Sequence, residues 1–457
     1  MEMDNRIWTI SREERELALR CMDMILARGA SQVRITLSKS MMDLVSVLNG
    51  QTDKVTHSGD RAMAFNIFAG GRYGTFSTNR LESAALQDFI GKALDTVKTL
   101  APDEFRKLPS PERKAKDAVT GLEAGLFDGD GYAGTDATGR IDTAMAAAGW
   151  GKLPGEGFRP VSEEMEYSDS VYDTYLIDSE GLECRHTETS FEIGCETTVE
   201  GPDGNKSSGY WWDSSPRFGE LDRANCCRKA MERAAAQIGA EPAEGGKYAM
   251  VVENETASRL LSPVLNALNA FSIQQNNSFM AGSLGKRLFP EGFTVMDMPR
   301  VEGAFGARFF DSEGVATRNT PIIGDGEVKE YFINTYMAGK TGMAPTIEDS
   351  TRACIMPFGI EPGKNIGAAE LMGMAGNGIF VTGLNGGNCN SATGDFSYGV
   401  EGFLFQGGKP VRPVREMLIT GNMTELWKSL RAAGTDMRKC MSRGIPSLFF
   451  EGVDFSA

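Results

Sequence analysis

Residues able to do hydrolytic, redox or metal chemistry are scarce in this chain. Its 457 residues include two histidines, His57 and His186, far too few for a histidine-based metal site built within one chain. Eight cysteines (Cys21, Cys184, Cys195, Cys226, Cys227, Cys354, Cys389 and Cys440) are scattered without a C-x-x-C pair. That pattern reads as reduced, mostly buried thiols. The vicinal pair Cys226 and Cys227 falls in a helical pattern and reads as packing rather than redox chemistry.

Four stretches carry candidate chemistry. Asp311 and Glu313 flank one residue. On a strand both would face one side, where two carboxylates can do acid–base work or hold a cation; the adjacent Gly314 favours a turn with solvated acids instead. The loop Asn385–Gly399 contains Asn388, Cys389 and Asp395. Its small polar residues suit binding of an extended peptide through the backbone. Cys389 is a candidate nucleophile there, but no histidine is placed beside it, and a rigid turn cluster is the favoured reading. Ala338–Gly342 reads AGKTG, echoing a phosphate loop. The first glycine of that motif is replaced by Asn334, and Tyr331–Tyr336 reads as a strand running straight up to it, so ATP binding is disfavoured. Asp128–Asp136 resembles a calcium loop, but Tyr132 and Gly139 stand where carboxylates are needed.

The elements that would position these residues are legible in outline. Ser11 with Glu14 forms a capping box before a helical run that Gly29 stops. Short strands follow at 32–39, 42–49, 53–58, 62–69 and 73–78, then a helix over 81–100. Residues 102–160 read as surface connection with short helices. Four more strands between 171 and 212 and a helix over 221–238 repeat the first pattern loosely. A junction at 241–246 divides the chain into two domains, 1–240 and 241–457. In the second, a strand over 248–252 feeds a helix from Asn254. Further strands alternate with helices at 368–374 and 423–433. With 54 glycines, many tight turns are expected. The expected fold class is α+β: helix-plus-hairpin units first, then a curved antiparallel sheet or barrel-like body with attached helices.

Net charge is −15, which disfavours direct nucleic-acid binding. No run of about 18 apolar residues suggests a membrane helix. The charged N-terminus lacks a secretory core, so a cytoplasmic location is the default expectation.

The wording of Glu253–Gln274, Ser278–Lys286, Phe309–Met343 and Gly394–Asn422 resembles the PmbA/TldD family, the so-called modulators of DNA gyrase. The family's catalytic branch carries His-Glu-x-x-x-His on the opening helix. Registering the resemblance on Ser278 and Gly285 puts Leu261, Ser262 and Asn266 at those positions, with Pro263 disturbing the helix. Cys440 lies near a C-terminal metal ligand of catalytic members, but its flanks do not match. The resemblance therefore implies the PmbA (TldE) branch, a chain with no metal or other cofactor and no catalysis of its own. It implies a TldD-type partner subunit holding zinc, and a shared chamber that cleaves short or unfolded peptides. Asp311, Glu313, Asn385, Asn388, Cys389 and Asp395 are the peptide-cleft candidates. A homodimer is a further option. The alternative is a non-proteolytic binding protein that modulates DNA gyrase or an antitoxin. A third option is a self-sufficient hydrolase using Cys389 or the Asp311/Glu313 pair.

Overall fold

A computed structural model describes residues 7–116, 122–152 and 157–457. The parts of the expected 102–160 connection at 117–121 and 153–156 lie outside the described residues.

The chain opens with α1 (Arg12–Ala27). Ser11 Oγ accepts from the Glu14 amide at 3.2 Å, and the Glu14 carboxylate accepts from the Ser11 amide at 2.8 Å. This is the expected capping box, and Glu14 also pairs with Lys39 and Arg61 on neighbouring strands. Ser11→Ala should cost about 1 kcal/mol, read as a lower urea midpoint at unchanged slope.

Next come β1 (Gln32–Leu48), β2 (Gln51–Ala69), β3 (Arg72–Thr78) and α2 (Ser83–Thr99). The short strands expected at 32–39 and 42–49, and at 53–58 and 62–69, are each one continuous strand. Ser40–Met41 and Gly59–Asp60 looked like breaks, yet they pair with each other across the ladder. Unbroken pairing overrides the local turn signal. The tight turn is instead Asn49–Gly50, both at positive φ, the backbone of a two-residue hairpin.

After α3 (Gly129–Ala133) and α4 (Ala137–Ala147), a second meander follows: β4 (Arg159–Asp178), β5 (Glu183–Glu200) and β6 (Lys206–Ser215), then α5 (Cys226–Ala236). The six strands form one sheet, ordered β3-β2-β1-β4-β5-β6. Each meander ends in a helix, and the two meet along the antiparallel β1–β4 pair. Alternation of buried residues along these strands gives the sheet an apolar face. The helices α1 and α2 cover one half of it around Ile35, Phe65 and Ile90; α4 and α5 cover the other around Tyr167, Phe191 and Cys195.

The second body begins with β7 (Gly246–Val252), α6 (Asn254–Ala267) and α7 (Ala270–Gln274). The helix α6 runs through Pro263, whose missing N–H was expected to disturb it. Burial of Leu260, Leu261, Val264 and Leu265, worth about 1.5–3 kcal/mol each, outweighs a proline penalty of about 3 kcal/mol. The segment read as strand-rich, 309–343, is mostly turns. It contributes β9 (Thr320–Gly324) and β10 (Glu327–Val328) to a small sheet completed by β8 (Val295–Asp297) and β11 (Ala353–Ile355). Between them α8 (Thr335–Thr341) replaces the expected strand into Ala338–Gly342. Asn334 caps its first turn by accepting from the Met337 amide, and Gly342 at φ 72° ends it.

The rest is α9 (Ala368–Ala375), β12 (Gly378–Cys389), β13 (Asp395–Gln406), β14 (Lys409–Asn422), α10 (Met423–Lys428), β15 (Leu430–Ala433) and β16 (Leu448–Ser456). The helix expected over 423–433 stops at Lys428, because Leu430–Ala433 pairs with β16 instead. Strands run β14-β13-β12-β7-β16, and β16 returns to pair with β14 at Leu418–Ser456 and Ile419–Phe455. The result is a closed five-stranded barrel, the barrel-like body expected, with β15 attached to its rim. Its core packs α6 and α10 around Trp427, Phe293 and Phe450. The fold is α+β throughout.

Candidate functional site

A cleft of about 760 Å³ opens between the first sheet and the barrel. Tyr210 and Trp211 of β6, Arg233 of α5 and Gln237 just after that helix form one wall. The other comprises Glu253, Glu255 and Arg259 around the start of α6, with Phe380, Asn385, Glu401 and Phe403 of the barrel.

Ion pairs line this cleft and lie beside it. Arg233 donates both guanidinium nitrogens to Glu253 at 2.8 Å and a further bond to the Thr382 carbonyl at 3.3 Å. Glu255 accepts from the Trp212 indole and pairs with Arg438 at 3.2 Å. Burial pushes the Glu255 carboxyl above its ordinary range, with the Arg438 guanidinium opposing. Arg438 in turn sits over the Trp211 ring at 4.1 Å. These contacts cross from the first sheet to the barrel, so the cleft walls are held as one surface. None was anticipated, because nothing in the helix sequence RKAMER marks an arginine that meets a strand edge.

The cleft follows an incompletely paired strand. The ladder between β12 and β7 covers Gly378–Val381 only, whereas β12 pairs with β13 out to Cys389. Beyond Val381, β12 therefore has one side without a strand neighbour among the described residues. Thr256 and Arg233 hold the Thr382 carbonyl, and Arg259 holds that of Leu384. Two bulges bend the segment, one at Val381–Gly383 and one at Asn385–Asn388.

The expected loop 385–399 is thus largely β12 and β13, with a short turn over 390–394. Asn385 reaches the cleft and donates to Glu401 at 3.1 Å. Asn388 is exposed on the second bulge. Cys389 lines a small cavity of about 140 Å³ together with Asn266, Phe279 and Tyr398. Burial and Asp395 push its thiol up, which works against a nucleophilic thiolate. Asp395 is exposed and tied to Thr393 and Asn422 at 2.7 and 3.1 Å, hydrogen bonds that lower its pKa. Both histidines are engaged elsewhere, His57 with Asp43 and His186 with Glu188. Cys389 has no imidazole base.

Asp311 and Glu313 belong elsewhere. They do sit in a turn, but not as solvated acids: they are 6% and 8% exposed. Asp311 accepts from the amides of Glu313, Val315 and Glu348 at 2.9–3.1 Å, and Glu313 accepts from the Thr335 amide and hydroxyl at 2.8 Å. Their oxygens pin a turn that the sequence alone could not show to be covered. Asp311 also lines a second, acidic cavity of about 640 Å³ with His186, Glu188, Glu348 and Cys440.

Burial raises the Asp311 pKa to about 6. Because the folded value exceeds the ordinary one, the folded state holds this proton after the unfolded chain has lost it. Its contribution to stability is therefore lost as pH rises from about 4 to about 6, by a few kcal/mol at most. Asp311→Asn removes that titration. The stability gap between wild type and variant should narrow steadily from about pH 4 to pH 7 in urea melts.

The positions expected to replace a metal motif lack the donors a catalytic zinc needs. Leu261 is fully buried in the barrel core. Ser262 donates to the Ser258 carbonyl and accepts from Arg443, while Asn266 is exposed beside Cys389. An alkyl group, a committed hydroxyl and an amide do not fit that ion.

A profile described as the PmbA/TldA metallopeptidase C-terminal domain matches residues 245–457, and one described as the central domain matches 138–238. The chain belongs to the PmbA/TldA metallopeptidase family. Metalloprotease PmbA of Escherichia coli O157:H7 is 25% identical over 439 residues, covering 93% of this chain and 94% of its own. A Bacteroides thetaiotaomicron protein, described with its crystal structure as a candidate modulator of DNA gyrase, is 36% identical. It superposes with a TM-score of 0.92 over 98% of this chain and 100% of its own. TldE from Thermococcus kodakarensis shares the fold at 18% identity, with a TM-score of 0.77 over 96% of this chain and 100% of its own. The central-domain match ends at residue 238 and the C-terminal match begins at 245, just before β7.

Proposed function

We propose that this chain is the catalytically silent, PmbA/TldE-type subunit of a two-subunit zinc-dependent peptidase. Its TldD-type partner supplies zinc and the hydrolytic groups. This chain closes the chamber and holds short or unfolded peptide in extended form. Leu261, Ser262 and Asn266 stand in for the partner's metal motif. The observation that carries the reading is the half-paired strand β12. Its Thr382–Asn385 stretch runs along a cleft walled by ion pairs and has no strand neighbour on that side among the described residues. Side chains of Thr256, Arg233 and Arg259 hold its Thr382 and Leu384 carbonyls, and an added strand would displace them. An added peptide strand would bond this edge through backbone groups, with little demand on sequence. Asn385 and Asn388 lie along that edge as peptide contacts, and Cys389 and Asp395 shape its far end. Asp311 and Glu313 are turn-forming residues in this reading rather than peptide contacts. The two-domain division at 241–246 places one cleft wall on each domain.

Co-expression with the host's His-Glu-x-x-x-His homologue tests this. A stable heteromeric complex is expected, with zinc-dependent cleavage of an unstructured peptide only when both chains are present. A homodimer that cleaves peptide without the partner would overturn the reading.

A second reading, a non-proteolytic modulator of DNA gyrase or an antitoxin, draws on the description of the Bacteroides relative and on the acidic charge of −15. It predicts capture of a basic protein that weakens sharply between low and high salt. The apolar interface of a subunit pair would persist. Either reading places the protein in the cytoplasm, without a membrane anchor and without direct contact to nucleic acid. No helix of the described residues is long and apolar enough to cross a membrane.

A further inference from the structure

A different group of residues, on the first sheet and away from the β12 edge, has the composition of a metal site. Glu163 of β4, Cys195 of β5 and Cys227 of α5 place a carboxylate oxygen and two sulfurs within 4.8 Å of one another. Register explains the meeting. Glu163 lies opposite Thr197, and Cys195 is two residues along, on the same face. The helix α5 packs over that face and sets Cys227 above the pair. All three side chains are buried, none more than 2% exposed.

The site is built around the carboxylate. Glu163 Oε1 accepts from the amides of Gly149 and Trp150, both at 2.8 Å. The Glu163 backbone is held on both sides by Asn49 at 2.9 Å. Such fixed outer contacts are what orient a metal-binding carboxylate. Among the described residues Glu163 has no ion-pair partner within 4 Å; nearby Lys152 spends its ammonium on the Met145 and Ala148 carbonyls. A buried carboxylate without a counter-cation is costly, and burial pushes its pKa up accordingly. The two vicinal cysteines also part company here. Cys226 donates to the Trp211 carbonyl at 3.0 Å, whereas Cys227 meets Cys195.

We propose that Glu163, Cys195 and Cys227 form a structural binding site for a thiophilic divalent cation of the zinc class. Tetrahedral zinc–sulfur and zinc–oxygen bonds of about 2.0–2.3 Å put ligand atoms roughly 3.6–3.8 Å apart, so the three donors need close by only about an ångström. On binding, thiol protons leave to solvent as sulfur–metal bonds form, without any change of oxidation state. Thr197, its hydroxyl 3.7 Å from the Cys195 sulfur, is the fourth donor nearest to hand. The ion would neutralise the stranded carboxylate and tie α5 to the sheet. Because α5 also carries Arg233, it would stiffen one wall of the cleft. Enclosure leaves no open coordination position for substrate, so the chain stays catalytically silent while ceasing to be metal-free.

The test is the full chain purified under reducing conditions from zinc-supplemented and, separately, cobalt-supplemented cultures. The expected result is one zinc per chain surviving dialysis. It should be lost in Cys195→Ser and Cys227→Ser, reduced in Glu163→Gln and retained in Cys389→Ser. The cobalt protein should show thiolate charge-transfer absorption and the visible bands of tetrahedral cobalt. Wild-type protein that holds no zinc and shows no cobalt–thiolate absorption overturns the proposal, whether or not the variants fold. So does zinc retained by the Cys195→Ser/Cys227→Ser double variant, or a Cys195–Cys227 disulfide in metal-free native protein.

Discussion

Arg185→Ala should destabilise the chain by about 3–5 kcal/mol, the largest single-residue effect expected outside the apolar core. Arg185 is 4% exposed and Asp173 fully buried. The guanidinium bonds both carboxylate oxygens, at 3.1 and 2.7 Å, and the Ile10 carbonyl at 2.9 Å. Asp173 also accepts from the Ile10 amide and the Thr187 hydroxyl, each at 2.8 Å. The pair therefore staples the segment before α1 to the centre of the first sheet. Removing the cation strands a carboxylate in a medium where an isolated charge costs far more than the pair contributes. Removing both partners together should cost less than Arg185→Ala alone, because no charge is then left buried. Urea melts of the two variants check both statements. A loss below about 1 kcal/mol for Arg185→Ala would show that water reaches Asp173.

Gly387→Val should have the other large effect, and it falls on the β12 edge proposed to bind peptide. Gly387 sits at φ 70°, and a Cβ there would lie 1.8 Å from the Ser397 carbonyl oxygen of β13. A β-branched side chain meets two penalties: about 1–3 kcal/mol for the left-handed backbone and about 1–3 kcal/mol for forcing the strands apart. The second bulge of β12 cannot persist under that load, so the edge from Asn385 to Cys389 should lose its shape. Expected results are a loss of roughly 2–6 kcal/mol and loss of peptide cleavage by the assembled pair. Assembly itself should survive. Gly386→Ala is the matched control. Its φ is 58° and nothing lies within 4 Å of the added carbon, so only the backbone penalty of about 1 kcal/mol applies.

These two sites show where reading the sequence stops. Local signals were reliable wherever local chemistry decides. The capping box at Ser11 and Glu14 and the helix stop at Gly29 stand as read. Burial decided the rest. The breaks read at Ser40 and Gly59 disappear because the facing strands pair through them. Asn334 was read as a missing phosphate-loop glycine and is a helix cap. Asp311 and Glu313 were recognisable as a turn from Gly314, but nothing in DSEG tells a solvated acid from one that binds three amides. At the cleft, Asn385 was visible from its glycine-rich surroundings. Arg233, Arg259 and Glu255 were not, since a charged residue on an amphipathic helix looks the same whether it faces water or a strand edge. The pairing of Glu163 with Cys195 and Cys227 depends on β4–β5 register and on the seat of α5, neither of which spacing along the chain encodes.

The central claim is that this chain holds peptide and another performs the cleavage. Hydrolysis of an unstructured peptide, measured for each purified chain and for the reconstituted pair, tests it most directly. Turnover is expected from the pair alone, abolished when the partner's motif histidines are replaced and unaffected by Cys389→Ala in this chain. Turnover by this chain in isolation, abolished by Cys389→Ala, would contradict it.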